Sequence, residues 1–153
     1  MQQTDGSFIT PTPPTPTLKD TQTLKINEMN IAYQNAIYNT FQSKAFDGQT
    51  METYSCSATD QARINGEVTT ALTVKAGYSV EVLSWKNANQ DKCVTWTPDQ
   101  MIKLGADLHN FVAEKTDYLE ALTVYINSLT TVDDVNKVTW GMTIPITTST
   151  TAS

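Results

Sequence analysis

The hydrophobic pattern is clearest between Thr97 and Leu129. Met101, Leu104, Leu108, Phe111, Tyr118, Leu122, Tyr125 and Leu129 recur at alternating three- and four-residue spacing, and Val112, Leu119 and Ile126 widen the stripe. That period keeps one face of a helix apolar and predicts a long amphipathic helix over 98–129. Thr97 suits the N-cap, Pro98 the first helical position, and Gln100 completes a capping box three residues after the cap. At roughly 1.5 Å per residue such a helix is about 50 Å long, more than the width of a small domain. Either part of it meets another chain, or it bends near Gly105.

A second helical pattern runs from Leu18 to about Lys44 through Ile26, Met29, Tyr33, Ala36, Ile37, Thr40 and Phe41. It breaks at Asp47-Gly48, a tight-turn pair, and residues 50–54 then alternate as a short strand does. Ser57 with Asp60 marks the start of a helix over 58–75, with Gly66 inside it as a point of close packing. Ala76-Gly77 closes that helix. A strand over 78–85, with Tyr78, Val80 and Val82 on one face, and a return strand over 92–97 form a hairpin leading into the long helix. Thr131-Val132-Asp133-Asp134 starts a short helix near 132–138, its carboxylates at the positive end of the helix dipole. The expected fold class is α+β: these helices packed on one small antiparallel sheet of strands 50–54, 78–85 and 92–97.

The ends differ from this middle. Residues 1–17 hold four prolines, five threonines and one charge, the composition of an extended arm, with Phe8-Ile9 as an apolar anchor within it. Residues 141–153 carry no charge and include Ile144 and Ile146. The expected organisation is therefore an arm (1–17), one α+β domain (18–140) and an uncharged tail (141–153). Lys115 at an inward position weakens a strict coiled coil. The first half of the long helix is expected inside the domain. Its second half, with Tyr118, Tyr125 and Leu129, is expected to lie closer to a neighbouring subunit, as are Phe8, Ile9, Ile144 and Ile146.

Charge and candidate chemistry narrow the function. Ten basic residues face sixteen acidic ones, a net charge of -6, which disfavours a nucleic-acid partner. Neither a signal-peptide pattern nor an apolar run of membrane-spanning length occurs, so no membrane insertion is expected. Cys56 and Cys93 fit neither a disulfide framework nor a zinc site, and two reduced, partly buried thiols are expected. His109 is the sole histidine and has no second ligand spaced to join it; P-loop, G-x-G-x-x-G and G-x-S-x-G signatures are lacking. No cofactor, metal or enzymatic role is expected. Trp85, Trp96 and Trp140 suggest either glycan stacking or a core, and covered hairpin positions favour the core for Trp85 and Trp96.

Taken in succession, Phe46-Asp47-Gly48, Gln61 to Gly66, Trp85, Val94 to Met101 and Thr131 to Trp140 resemble a domain of unknown function found in bacteriophage tail and tail-fibre-associated proteins, over about residues 25–142. The resemblance implies no catalytic residues. It implies a viral structural protein of the virion, tail or tail-fibre associated, acting in assembly or attachment through contacts with other virion proteins, in a homo-oligomer or hetero-assembly and made in the host cytoplasm. With no long fibre sequence upstream, a free-standing virion component is expected. Arg63 is expected to pair with a helix carboxylate. Two further readings stand beside this one: a receptor-binding module for host surface glycans using Trp85, Tyr78 or Trp96, and a tail-fibre assembly chaperone.

Overall fold

The computed structural model describes residues 15–80 and 82–145. Eight elements follow in order: α1 (Leu18–Ile37), β1 (Thr40–Ser43), β2 (Glu52–Ser55), α2 (Ala58–Lys75), β3 (Ser84–Trp85), β4 (Val94–Thr95), α3 (Pro98–Ser128) and α4 (Val132–Asn136). The class is α+β and mostly helical. Each helix begins on a side-chain cap. Thr17, Ser57, Thr97 and Thr131 each accept from a backbone N–H three residues on, and Thr17–Asp20 and Thr97–Gln100 form complete capping boxes.

Two strand expectations are corrected. The first helix ends at Ile37, and residues 40–43 are a strand paired antiparallel with β2, Phe41 opposite Tyr54. Over so few residues Ile37 and Phe41 satisfy a helical period while Phe41, Ser43 and Ala45, all buried, satisfy a strand period. Pairing with β2 decides between them. The joining turn is closed by the Asp47 carboxylate, which accepts from the N–H groups of Gln49 and Thr50, both at 2.7 Å, and Gly48 takes the positive φ of 77° that such a turn requires.

The second correction concerns the expected strand 78–85. Among the described residues only Ser84–Trp85 forms a strand, paired with Val94–Thr95, so there are two two-stranded sheets where one was expected. The cause lies in the partner. The register Ser84↔Thr95 places Trp96 beside Leu83 and Thr97 beside Val82, but Thr97 is already the cap of α3 and Pro98 has no N–H to donate. Tyr78, Val80 and Val82 are left exposed outside any strand.

Helix α3 organises two separate cores. Met101, Leu104 and Leu108 pack with Ile64 and Ala71 of α2 and with Phe41, Tyr54, Trp85 and Trp96 of the hairpins. Toward its other end Leu122 and Ile126 pack with Met29 of α1, Val135 of α4 and Val138. Helix α2 reaches α3 closely at Gly105, where an added Cβ would lie 2.5 Å from Val68 Cγ2. Gly66, the expected point of close approach, has nothing within 4 Å of such a carbon.

The second core also gives the second half of α3 partial cover within the chain. Tyr118, Tyr125 and Leu129 are half-buried against the second core, which is supplied by their own chain. Tyr118 Oη donates to the Met142 carbonyl at 2.8 Å and accepts from the Gly141 N–H at 3.1 Å, and its ring meets Trp140 edge-on at 5.0 Å. Ile144 follows onto the same cluster. Gln22, buried on α1, donates its amide Nε2 to the carbonyls of Ile126, Asn127 and Leu129 at 3.1–3.4 Å. It satisfies the Asn127 and Leu129 carbonyls, which the end of α3 leaves without helical partners, and shares the Ile126 carbonyl with the Leu129 N–H.

Candidate functional site

The sheets and α2 converge on one cleft. The β3–β4 loop is tied to β2 by two bonds: the Ala88 N–H donates to the Thr53 carbonyl at 2.7 Å, and the Asn87 amide donates to Glu52 Oε1 at 2.9 Å. Beneath, Gln61 of α2 donates to the Ile37 and Cys56 carbonyls and fixes α2 against the end of α1. Between these anchored parts lies a cleft of about 520 Å³. Arg63 and Asp60 line it from α2, Lys86 and Trp85 from the second hairpin, and Asn39 from the turn after α1.

Arg63 is the only arginine of the chain. It does not form the expected carboxylate pair. Its Cζ lies 5.0 Å from the centroid of the Trp85 ring, a cation–π arrangement that covers that indole. The ion pairs among the described residues involve neither Arg63 nor Lys86. Lys86 Nζ reaches the Asp91 carbonyl at 3.4 Å. Asp60 is held below the usual carboxylate range, first by the Ser55 hydroxyl and then by the Ser57 hydroxyl, both donating to Oδ2, with Arg63 adding a smaller attraction. Cys93, at the rim, is exposed, which corrects the expectation of a partly buried thiol there; Cys56 is buried, and burial pushes its thiol up.

Beside the cleft the molecule presents two apolar rows. Leu24 and Ile31 on the outer side of α1 and Tyr38 at its C-cap recur every seven residues, with Leu24 65% exposed. Tyr78 and Val82, 69% and 70% exposed, flank Val80 on the unpaired segment after α2. The indole N–H of Trp96, which lines the shallow groove along that segment, has no hydrogen-bond acceptor among the described residues.

Of the residues expected at contacts, Tyr118, Tyr125, Leu129 and Ile144 come together around the second core. Phe8, Ile9 and Ile146 lie outside the described residues. The glycan candidates separate: Trp85 and Trp96 are buried in the first core, whereas Tyr78 is exposed. His109 is exposed on α3. Among the described residues no group of three or more His, Cys, Asp or Glu side chains is placed to hold a metal ion, and no helix is long and apolar enough to cross a membrane. The cleft was not anticipated. Its one sequence signal was a lone arginine followed, twenty-two residues on, by a Trp-Lys pair, and nothing in that spacing says that a hairpin folds back over a helix.

No curated protein and no solved structure matches the chain. A family model does match, over residues 20–139, the span from the first turn of α1 to the residue before Trp140. The chain therefore belongs to the family described as a domain of unknown function, DUF4376.

Proposed function

We propose that the chain is a non-enzymatic structural component of a bacteriophage virion, tail or tail-fibre associated, acting in assembly or attachment through protein–protein contacts. The observation that carries this reading is the pair of apolar rows left outside both cores. Leu24 and Ile31 on α1 with Tyr38 at its C-cap, and Tyr78, Val80 and Val82 after α2, are exposed in a chain that has already built two cores of its own. Large apolar side chains left exposed in rows suit contact with other proteins. The phage assignment itself rests on the ordered resemblance from Phe46 to Trp140.

Quantitative mass spectrometry of gradient-purified particles tests it. The chain is expected in fixed ratio to a tail protein. Its absence from particles overturns the reading, and presence in the infected cell but not in particles fits an assembly chaperone. The glycan-receptor reading has lost two of its three stacking platforms to the core and retains Tyr78.

A further inference from the structure

We infer that the cleft over Arg63 and Trp85 is a binding site for an acidic side chain carried by a partner protein. The charge balance motivates this. Among the described residues lining the cleft, Arg63 and Lys86 stand against one carboxylate, Asp60, whose Oδ2 already accepts from two hydroxyl donors. The described lining thus carries one net positive charge in a chain whose total is -6. A monoanion matches that excess better than a doubly charged phosphate.

Geometry agrees with the charge. Stacking on Trp85 holds the guanidinium at the cleft and leaves its N–H groups without a hydrogen-bond partner among the described residues. A planar fork of donors held in this way suits a carboxylate, which accepts two parallel bonds. The same stacking decides between a protein and an acidic sugar. Trp85 is buried under Arg63, so no open aromatic face is left in the cleft for a sugar ring. A volume of about 520 Å³ admits an acidic side chain with its flanking backbone. This site shares with the virion reading only the premise that the partner is a protein, and binding in solution is independent of whether particles contain the chain.

Two-dimensional NMR on the full chain tests it by following the Arg63 Nε–H and Trp85 Nε1–H signals. The probes are acetyl-Ala-Glu-Ala-amide, its glutamine counterpart and digalacturonate. The glutamate peptide is expected to move both signals saturably, with an affinity that falls as salt rises. The glutamine peptide is expected to bind about tenfold more weakly or worse, as loss of a charged hydrogen-bond pair requires. Arg63→Gln and Lys86→Gln are each expected to weaken the glutamate peptide, and Arg63→Lys to restore only part of the affinity because it supplies a point charge without the fork. Lys86 is exposed in a loop, so K86Q carries the test if R63Q fails to fold. Equal binding of the two peptides, or unmoved signals, overturns the proposal. Tighter binding of digalacturonate also overturns it and reassigns the cleft to an acidic sugar.

Discussion

At the scale of single residues, two glycines on facing helices make opposite predictions. Gly105 lies under Val68, and a Cβ there would meet Val68 Cγ2 at 2.5 Å. Val68 is β-branched and has little rotamer freedom in a helix, so the clash is relieved only by moving α2 or α3. Overpacking of this kind costs about 1–3 kcal/mol, which exceeds or cancels the gain of about 1 kcal/mol from replacing a helical glycine by alanine. Gly105→Ala is therefore expected to be neutral to destabilising in urea denaturation, and Gly66→Ala, in open space, to stabilise by up to about 1 kcal/mol. A gain from G105A equal to that from G66A would show that the helices do not meet as described. The two thiols separate in the same way. Cys93 is exposed and Cys56 is buried, so a thiol reagent is expected to modify one cysteine in the native chain and two after denaturation. Rapid modification of both in the native chain would contradict the burial of Cys56 in the first core.

At the scale of elements, the ends of the helices carry much of the information. From a buried position on α1, the two amide hydrogens of Gln22 are shared among three carbonyls at the end of α3. Gln22→Leu removes that donor while keeping the bulk, and leaving the part-buried Asn127 and Leu129 carbonyls without it is expected to cost about 0.5–1.5 kcal/mol in chemical denaturation. An unchanged midpoint would mean that these carbonyls do not depend on the amide. Asp60 at the first turn of α2 makes stability depend on pH. Its folded value lies below the ordinary 3.8, so folding favours the ionised form. That contribution is complete above 3.8 and is lost as pH falls through the lower folded value. Asp60→Asn should therefore show a smaller drop in melting temperature between pH 5 and pH 2.5, about one unit either side of the ordinary carboxylate value, than the unsubstituted chain. An equal drop would assign the acid sensitivity elsewhere.

These elements also show what could be read beforehand and what could not. The bounds 58–75 and the start at Pro98 were legible because caps are local: a Ser or Thr and a partner three residues on specify them. Residues 40–43 were not, since their pattern fits both periods and the deciding contact is with β2. The strand 78–85 was overread for a similar reason. Its own residues favour a strand, but its partner runs into the cap of α3 after two residues. The cleft was least legible of all, because Arg63 and Trp85 meet only when the second hairpin is tied back to β2 through Asn87 and Ala88.

At the scale of the whole molecule, one helix of 31 residues serves two cores. Its length of roughly 46 Å at 1.5 Å per residue exceeds what a single core of this size covers. The sequence pattern left its second half in want of a neighbour. The chain supplies part of that cover itself, with α1, α4 and the segment through Ile144, and Tyr118 binds the Gly141–Met142 backbone from within, while Val124 stays 71% exposed. Apolar surface left outside the cores lies on the outer side of α1, on the segment after α2 and, at Val124, on α3 itself. Native-state hydrogen exchange on the full chain, at a concentration where sedimentation shows a monomer, tests this most directly. Amides of residues 101–108 and of 119–126 are both expected to be protected. Protection of the first set alone, with 119–126 exchanging freely until the chain associates, would contradict it and return the second half of α3 to a subunit interface.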